Sequence, residues 1–366
     1  MGFEQFLGNE RVVAALRGML SAGRIPHAML FTGPRGVGKY TLAVMFAQTA
    51  NCERAGDDFC GECEACRRIG ELLHPQPLIE RGLEERGASP DAATVERVPL
   101  LLQTHPDVCV AVPDPVRLRN PAARPLIRMG QLRAIQRAAY FRPQGRRRVF
   151  IIDGADTMRW DYANIFLKIL EEPPESATLI LLAPNPYLLL PTIQSRCVRF
   201  AFAPVPAERL EDFLRVRRDL SASERKLVAR LAGGSVGVAL ELDLEESVKL
   251  RREILKLIQL GVQGRPMSAL FAATQQLARN EKESFEKVLE LFYSLLTDLL
   301  ELSHGPKHRE LRNPDLQREI EALSSAASLD WVRQATDSLD LLQGRLRRNI
   351  NRQLGLDAVV LGLRPT

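Results

Sequence analysis

The sequence predicts an α/β region followed by an all-helical one. Short apolar runs alternate with helical stretches as far as Phe202, a layout that implies a mainly parallel sheet whose ligands bind at the carboxyl ends of the strands. A glycine-rich turn joins the first of those runs to a helix. After Phe202 no strand candidate follows, whereas long amphipathic patterns such as Phe285 to Leu302 and Leu329 to Leu342 do.

Taken in order, residues 9 to 22 place Val12, Val13, Leu16, Met19 and Leu20 at helical spacing. Ala28 to Thr32 reads as a short buried strand, GPRGVGKYTLA (Gly33 to Ala43) as a turn, and Thr41 to Ala50 as a helix. That is the context of a phosphate-binding loop, G-x-x-x-x-G-K-[ST], in which backbone N–H groups cradle phosphates, the Lys reaches the β/γ-phosphates and the final hydroxyl holds Mg²⁺. Gly33, Gly38 and Lys39 fit, but Tyr40 stands where the hydroxyl belongs and Thr41 comes one residue late. A bulky phenol cannot act as that small ligand.

Cys52, Cys60, Cys63 and Cys66 give C-x7-C-x2-C-x2-C. Four thiolates with two C-x-x-C steps suit tetrahedral Zn²⁺ and leave no open position for chemistry, so the spacing predicts a structural zinc module. A redox C-x-x-C is the weaker rival, because one pair does not account for the other two cysteines. Residues 71 to 126, rich in Pro and Arg and poor in periodicity, read as an insertion carrying long loops.

Net charge is only +5, yet no acidic residue lies between Asp114 and Asp153, where Arg117, Arg119, Arg124, Arg128, Arg133, Arg137, Arg142, Arg146, Arg147 and Arg148 all fall. Arg133 and Arg137, four apart on a predicted helix, share one face. Two readings stand for this stretch: contact with a nucleic-acid backbone, or a solvated basic helix paired with acids elsewhere. With only Tyr140 and Phe141 as aromatics there, base stacking is not the expected mode.

Val149 to Asp153 is a second strand and Thr178 to Ala183 a third, ending near Asn185. Asp153 sits where nucleoside triphosphatases place the carboxylate that organises Mg²⁺, and a turn or helix cap is the equal alternative. The next residue, where a water-activating Glu is common, is Gly154. Gln194-Ser195-Arg196-Cys197 follows the third strand, and an Arg projected from such a place can stabilise phosphoryl-transfer charge on a neighbouring subunit. Ala203 to Pro206 reads as a linker, residues 207 to about 243 as a small helical unit interrupted by Gly233-Gly234, and the remainder as helices. No run approaches the roughly 20 apolar residues of a membrane span. The N-terminus lacks a secretory layout, so a cytoplasmic location is expected.

Together, FEQFLGNERVVAALRGMLSAGRIPHAMLFTGPRGVGKYTLA, the four-cysteine segment, THPD at 104 to 107 and FRPQGRRRVFIIDGADTM resemble the clamp-loader branch of the AAA+ family. The resemblance continues through ANIFLKILEEPPESATLILLAPNPYLLLPTIQSRC, the Gly234-Ser235-Val236-Gly237 turn and the terminal RRNINRQLGLDAVVLGL. It implies a P-loop ATPase-like domain at 1–204, with the zinc module at about 50–70 and the insertion at about 71–126. A helical lid at 205–243 and a helical collar for oligomerisation at 244–366 complete the implied organisation. The implied partners are gamma/tau and delta subunits in a ring, with the sliding clamp and primed DNA engaged through the assembled complex. Arg196 is implied as an arginine finger acting in trans, and Asn185 falls at the first sensor. Tyr40, Gly154, Gly237 where a motor subunit has a second-sensor Arg, and the lack of a long C-terminal extension separate the chain from gamma/tau-like motors. Loss of metal ligand, base and charge-stabilising Arg together leaves little turnover. Gly33, Gly36, Gly38 and Lys39 keep weak ATP or phosphate binding open, with Thr41 and Asp153 as the remaining Mg²⁺ candidates. The alternative is a gamma/tau-like ATP-hydrolysing motor in which Thr41 takes over Mg²⁺ through a shifted loop.

Overall fold

The computed structural model describes residues 2–54, 56–116, 125–278, 285–304, 311–345 and 351–362. Arg117, Arg119, Arg124 and part of the terminal RRNINRQLGLDAVVLGL stretch lie outside the described residues. The chain divides into two compact units, one of residues 1–206 with 235–237, the other of 207–234 with 238–366.

The first unit opens with α1 (Glu10–Ser21), β1 (Ala28–Thr32) and α2 (Lys39–Asn51). There follow α3 (Glu64–Gly70), α4 (Pro75–Glu84), α5 (Ala92–Arg97), β2 (Leu101–His105) and β3 (Val108–Ala111). Next come α6 (Met129–Ala139), β4 (Arg148–Asp153), α7 (Trp160–Glu171), β5 (Ala177–Ala183), α8 (Pro191–Gln194) and β6 (Val198–Ala201). The sheet has six strands in the order β2-β3-β4-β5-β1-β6, parallel throughout except for the β2–β3 pair at one edge. β1 pairs with β5 from Ala28↔Leu179 to Thr32↔Ala183, which brings the turn after β1 beside the residues that follow β5.

Both faces of the central strands are covered, which is why these strands read as continuous apolar runs rather than alternating ones. Because successive side chains point to opposite faces, Met29 and Phe31 join Leu42 and Phe46 of α2 in one core. Ala28 and Leu30 join Ile135 of α6 and Phe166 of α7 in the other.

The stretch expected to carry long loops instead contains α4, α5 and the β2–β3 hairpin. Pro75 occupies the first turn of α4, where its missing N–H costs nothing. The Asp91 side chain caps α5 by accepting the Thr94 N–H at 2.7 Å. Arg86 and Asp114 then tie the segment together as a fully buried ion pair at 2.7 Å. These local devices carry no hydrophobic period, so periodicity alone misses them.

The second unit holds α9 (Ala207–Arg217), α10 (Ala222–Leu231) and most of α11 (Val236–Glu241). It continues with α12 (Leu244–Val262), α13 (Met267–Ala278), α14 (Phe285–His304), α15 (Gln317–Ser324), α16 (Leu329–Arg345) and α17 (Arg352–Gly362). Leu250, Ile254, Phe292, Leu295, Leu339 and Val359 form the centre of its core. Inside it, fully buried Arg251 makes a bidentate pair with Asp315 at 2.7 and 2.9 Å. No helix among the described residues is long and apolar enough to cross a membrane.

Candidate functional site

The glycine-rich turn takes a phosphate-loop backbone. Gly33, Gly36 and Gly38 have φ of 135°, 72° and 95°, a region closed to most L side chains. Space restricts the turn as well: a Cβ on Gly33 would stand 2.4 Å from the Phe202 carbonyl, and one on Gly38 2.7 Å from the Phe6 ring.

Within this cradle the lysine faces inward. Lys39 Nζ donates to the carbonyls of Gly33 at 2.6 Å and Pro34 at 2.5 Å, so its charge is spent on the loop itself. Burial lowers its pKa to about 8, against the opposing charges of Asp153 and Asp156. Burial likewise raises the Asp153 carboxyl above the usual carboxylate range, with Lys39 acting the other way. A tight Lys39–Asp153 ion pair would have moved both groups in the opposite sense.

Tyr40 turns away from the loop. Its hydroxyl donates to the Leu72 carbonyl at 2.7 Å, and burial raises its pKa. Thr41 is exposed one residue further along α2. Gly154, at the position of the absent Glu, has φ 67°, and a Cβ there would meet Pro113 Cγ at 2.8 Å. Gly237 donates its N–H to the Gly36 carbonyl at 2.9 Å, and its own Cβ would lie 3.3 Å from Gly36 Cα. Asn185 is exposed and its side chain accepts the Tyr187 N–H at 3.0 Å, which is a cap. A cleft of about 510 Å³ opens beside Asp153, lined by Tyr40, Ile79, Leu83, Val112 and Pro113 among others.

Arg196, after α8, is half-buried. Its guanidinium donates to Glu171 Oε1 at 2.9 Å and to the Thr192 carbonyl at 3.0 Å. No local pattern signals the Glu171 contact, which joins residues 25 apart on different elements. Arg133 and Arg137 are exposed on one face of α6 and make no ion pair among the described residues. Other arginines of the acid-free stretch are spent inside the fold: Arg128 lies beside Asp114 at 3.5 Å, and Arg147 Nε donates to the Thr178 hydroxyl at 2.7 Å.

The four cysteines do converge. Their sulfurs all lie within 4.8 Å of one another, a set that can hold a metal ion. Zn–S bonds of about 2.3 Å place tetrahedral sulfurs about 3.8 Å apart, and Cys60 and Cys66 Sγ are 3.9 Å apart. Backbone N–H groups of Cys60, Cys63 and Cys66 donate to the sulfurs of Cys52, Cys60 and Cys63 at 3.3 to 3.4 Å. These donors favour thiolates. Backbone N–H groups of Cys63 and Glu62 pull the Cys60 thiol down to about 6, while burial pushes Cys52 and Cys66 up. A bound dication would supply the charge that the two buried sulfurs lack.

The profile of the family described as DNA polymerase III, delta subunit, matches residues 8–206, and that of DNA polymerase III, delta subunit, C terminal, matches residues 245–364. The DNA polymerase III subunit delta' of Bacillus subtilis is 27% identical over 358 residues, covering 96% of this chain and 95% of the relative. The chain belongs to the DNA polymerase III delta prime subunit family. The corresponding protein of Pseudomonas aeruginosa is 32% identical over 66% of this chain and 64% of its own length. The gamma/tau subunit of Mycobacterium tuberculosis is 33% identical, but over only 58% of this chain and 30% of its own length. The Bacillus subtilis delta prime match thus runs through both units, whereas gamma and tau relatives match over 58% to 69% of the chain. Membership places the chain in the DNA polymerase III clamp loader and in DNA replication.

Proposed function

We propose that the chain is a non-hydrolysing stator of the clamp loader that donates Arg196 in trans to the ATP site of a neighbouring gamma/tau motor subunit. The observation that carries this is the closed phosphate loop. Lys39 is held by the carbonyls of Gly33 and Pro34, and Tyr40 by that of Leu72, so neither the phosphate cation nor a metal hydroxyl is presented. Gly154 and Gly237 add no base and no second-sensor Arg. Of the residues in the degenerate nucleotide set, Gly33, Gly36, Gly38, Lys39, Thr41, Asp153 and Asn185, the lysine and Asn185 already have partners within the chain.

Arg196, by contrast, is held by a half-exposed ion pair. Such pairs are worth about 0–1 kcal/mol, so a partner's triphosphate can draw the guanidinium away from Glu171 at small cost. Cys52, Cys60, Cys63 and Cys66 would hold one structural Zn²⁺, which supplies a tetrahedral cross-link and no open position for chemistry. The first 204 residues form the ATPase-like part, 205–243 the lid and 244–366 the collar that binds gamma/tau and delta subunits. Arg133 and Arg137 face the phosphate backbone of primed DNA when the sliding clamp is loaded. The protein acts in the cytoplasm.

Single-turnover ATP hydrolysis tests the proposal, using the full chain alone and mixed with its motor subunit. The expected result is an inert isolated chain, and a mixture whose activity falls by about 10³-fold or more with Arg196→Ala, as for other trans arginines. Motor-like hydrolysis by the isolated chain would put the gamma/tau-like reading in its place.

A further inference from the structure

The backbone that carries Arg196 is held in place. Pro191 starts α8, and Ile193 within it is fully buried. The N–H groups of Ser195 and Arg196 donate to the carbonyls of Pro191 at 2.9 Å and Ile193 at 3.1 Å. Gln194 Nε2 adds a bond to the Leu189 carbonyl at 3.0 Å. The freedom that remains to Arg196 lies in its side chain.

The two arms of its guanidinium are anchored differently. Nη1 donates to the Thr192 carbonyl at 3.0 Å and lies 3.4 Å from Ser195 Oγ, both on the segment that carries it. Thr192 belongs to a four-residue helix whose carbonyls lack intrahelical partners, so it gains from any donor that reaches it. Nη2 instead donates to Glu171 Oε1 at 2.9 Å, on the last residue of a separate helix, α7. The Glu171 side chain is 52% exposed, so water replaces the guanidinium readily when that bond breaks. One arm is thus local and steady, and the other exchangeable.

We propose that Glu171 is a positioning residue that regulates Arg196: it holds the Nη2 arm while the neighbouring motor site is empty, and competes with the ATP phosphates for that arm when the site fills. This rests on the reading of Arg196 as a donor in trans. The Nη1 arm stays on Thr192 throughout, so the exchange swaps one charge-assisted hydrogen bond for another and moves no backbone. Bound ATP and the transition state both require the arm to have left Glu171. A competitor of that kind weakens the two equally relative to the free site, which raises the ATP concentration needed and leaves the saturated rate alone. An ion pair that merely kept Arg196 in its catalytic geometry would do the opposite, since breaking it would misplace the guanidinium and slow the saturated rate.

The test is single-turnover ATP hydrolysis by the full-length chain mixed with its motor subunit, measured across ATP concentration so that slow variants stay readable. Wild type, Glu171→Gln, Arg196→Ala and the double variant are compared. Glu171→Gln keeps the size of an exposed side chain, and circular dichroism checks that the variant is folded. It is expected to lower the half-saturating ATP concentration by about 2- to 5-fold, the range that an exposed ion pair supports, with the saturated rate unchanged. That difference should shrink as salt rises from about 0.05 to about 0.5 M. In the Arg196→Ala background the same substitution should change nothing. If Arg196→Ala removes activity but Glu171→Gln leaves half-saturation unaltered, or lowers the saturated rate, the competition is overturned and Arg196 stands as the donor. An effect of Glu171→Gln that persists without Arg196 would overturn it as well. Activity indifferent to Arg196→Ala would instead sink the trans reading, and the role of Glu171 with it.

Discussion

The phosphate loop and the four-cysteine cluster occupy opposite ends of one helix, α2, which starts at Lys39 and leads into Cys52. In the sequence both look nearly complete, yet their surroundings diverge. At the loop the functional cation is consumed: Lys39 donates to two carbonyls of its own turn, and Tyr40 to a third. At the cluster, sulfurs converge with backbone donors aimed at them. One site has satisfied itself from within the chain and the other can hold a metal ion from outside. A motif records which groups are available; the hydrogen bonds around it decide whether they remain so.

Four perturbations break or sharpen that contrast, in order of expected effect. Removing the metal with a chelator, or replacing a ligand as in Cys66→Ser, should cost on the order of 5 kcal/mol or more. Elemental analysis should show one zinc lost per chain, with hydrogen exchange rising first over residues 52–73. Gly33→Ala forces a Cβ to within 2.4 Å of the Phe202 carbonyl at φ 135°. Urea denaturation should register a loss of about 3 kcal/mol, whereas an alanine at exposed Gly56 near the cysteines should be far milder.

The third perturbation is pH. Burial lowers the Lys39 pKa to about 8, below its value near 10.4 in an unfolded chain. Between those values the unfolded state binds more protons, so stability rises with pH from about 8 to about 10.4, by at most about 3 kcal/mol. Below pH 8 both states are protonated and this contribution is flat. Lys39→Met should remove the rise, which thermal melts across that window would reveal. Smallest is Gly154→Glu: the positive φ and the Pro113 contact cost about 1–3 kcal/mol, and hydrolysis by the isolated chain should stay at background.

Much of this was legible in the chain. β1, β4 and β5 announce themselves because central parallel strands are apolar on both faces, and the cysteines because their spacing suits a tetrahedral metal. β2 was missed since an edge strand carrying the polar Gln103, Thr104 and His105 lacks such a run, and β3 because its four residues stand among prolines and arginines. Tyr40 marked the loop as altered, but nothing in the sequence told that its hydroxyl reaches Leu72, 32 residues away. The block at Gly154 depends on Pro113, and the hold on Arg196 on Glu171; both are contacts between distant segments that no local pattern encodes. Asp107, matched only as part of THPD, proved to be the acceptor for the Gln144 and Gly145 N–H groups.

Calorimetric titration of ATP with Mg²⁺ into the zinc-loaded, full-length chain tests the contrast most directly. If the loop is closed by its own lysine, no saturable heat should appear below about 1 mM nucleotide, the range of Kd worth only about 4 kcal/mol. A single site with a micromolar Kd, abolished by Lys39→Met, would contradict this and show that Lys39 exchanges the Gly33 and Pro34 carbonyls for phosphate.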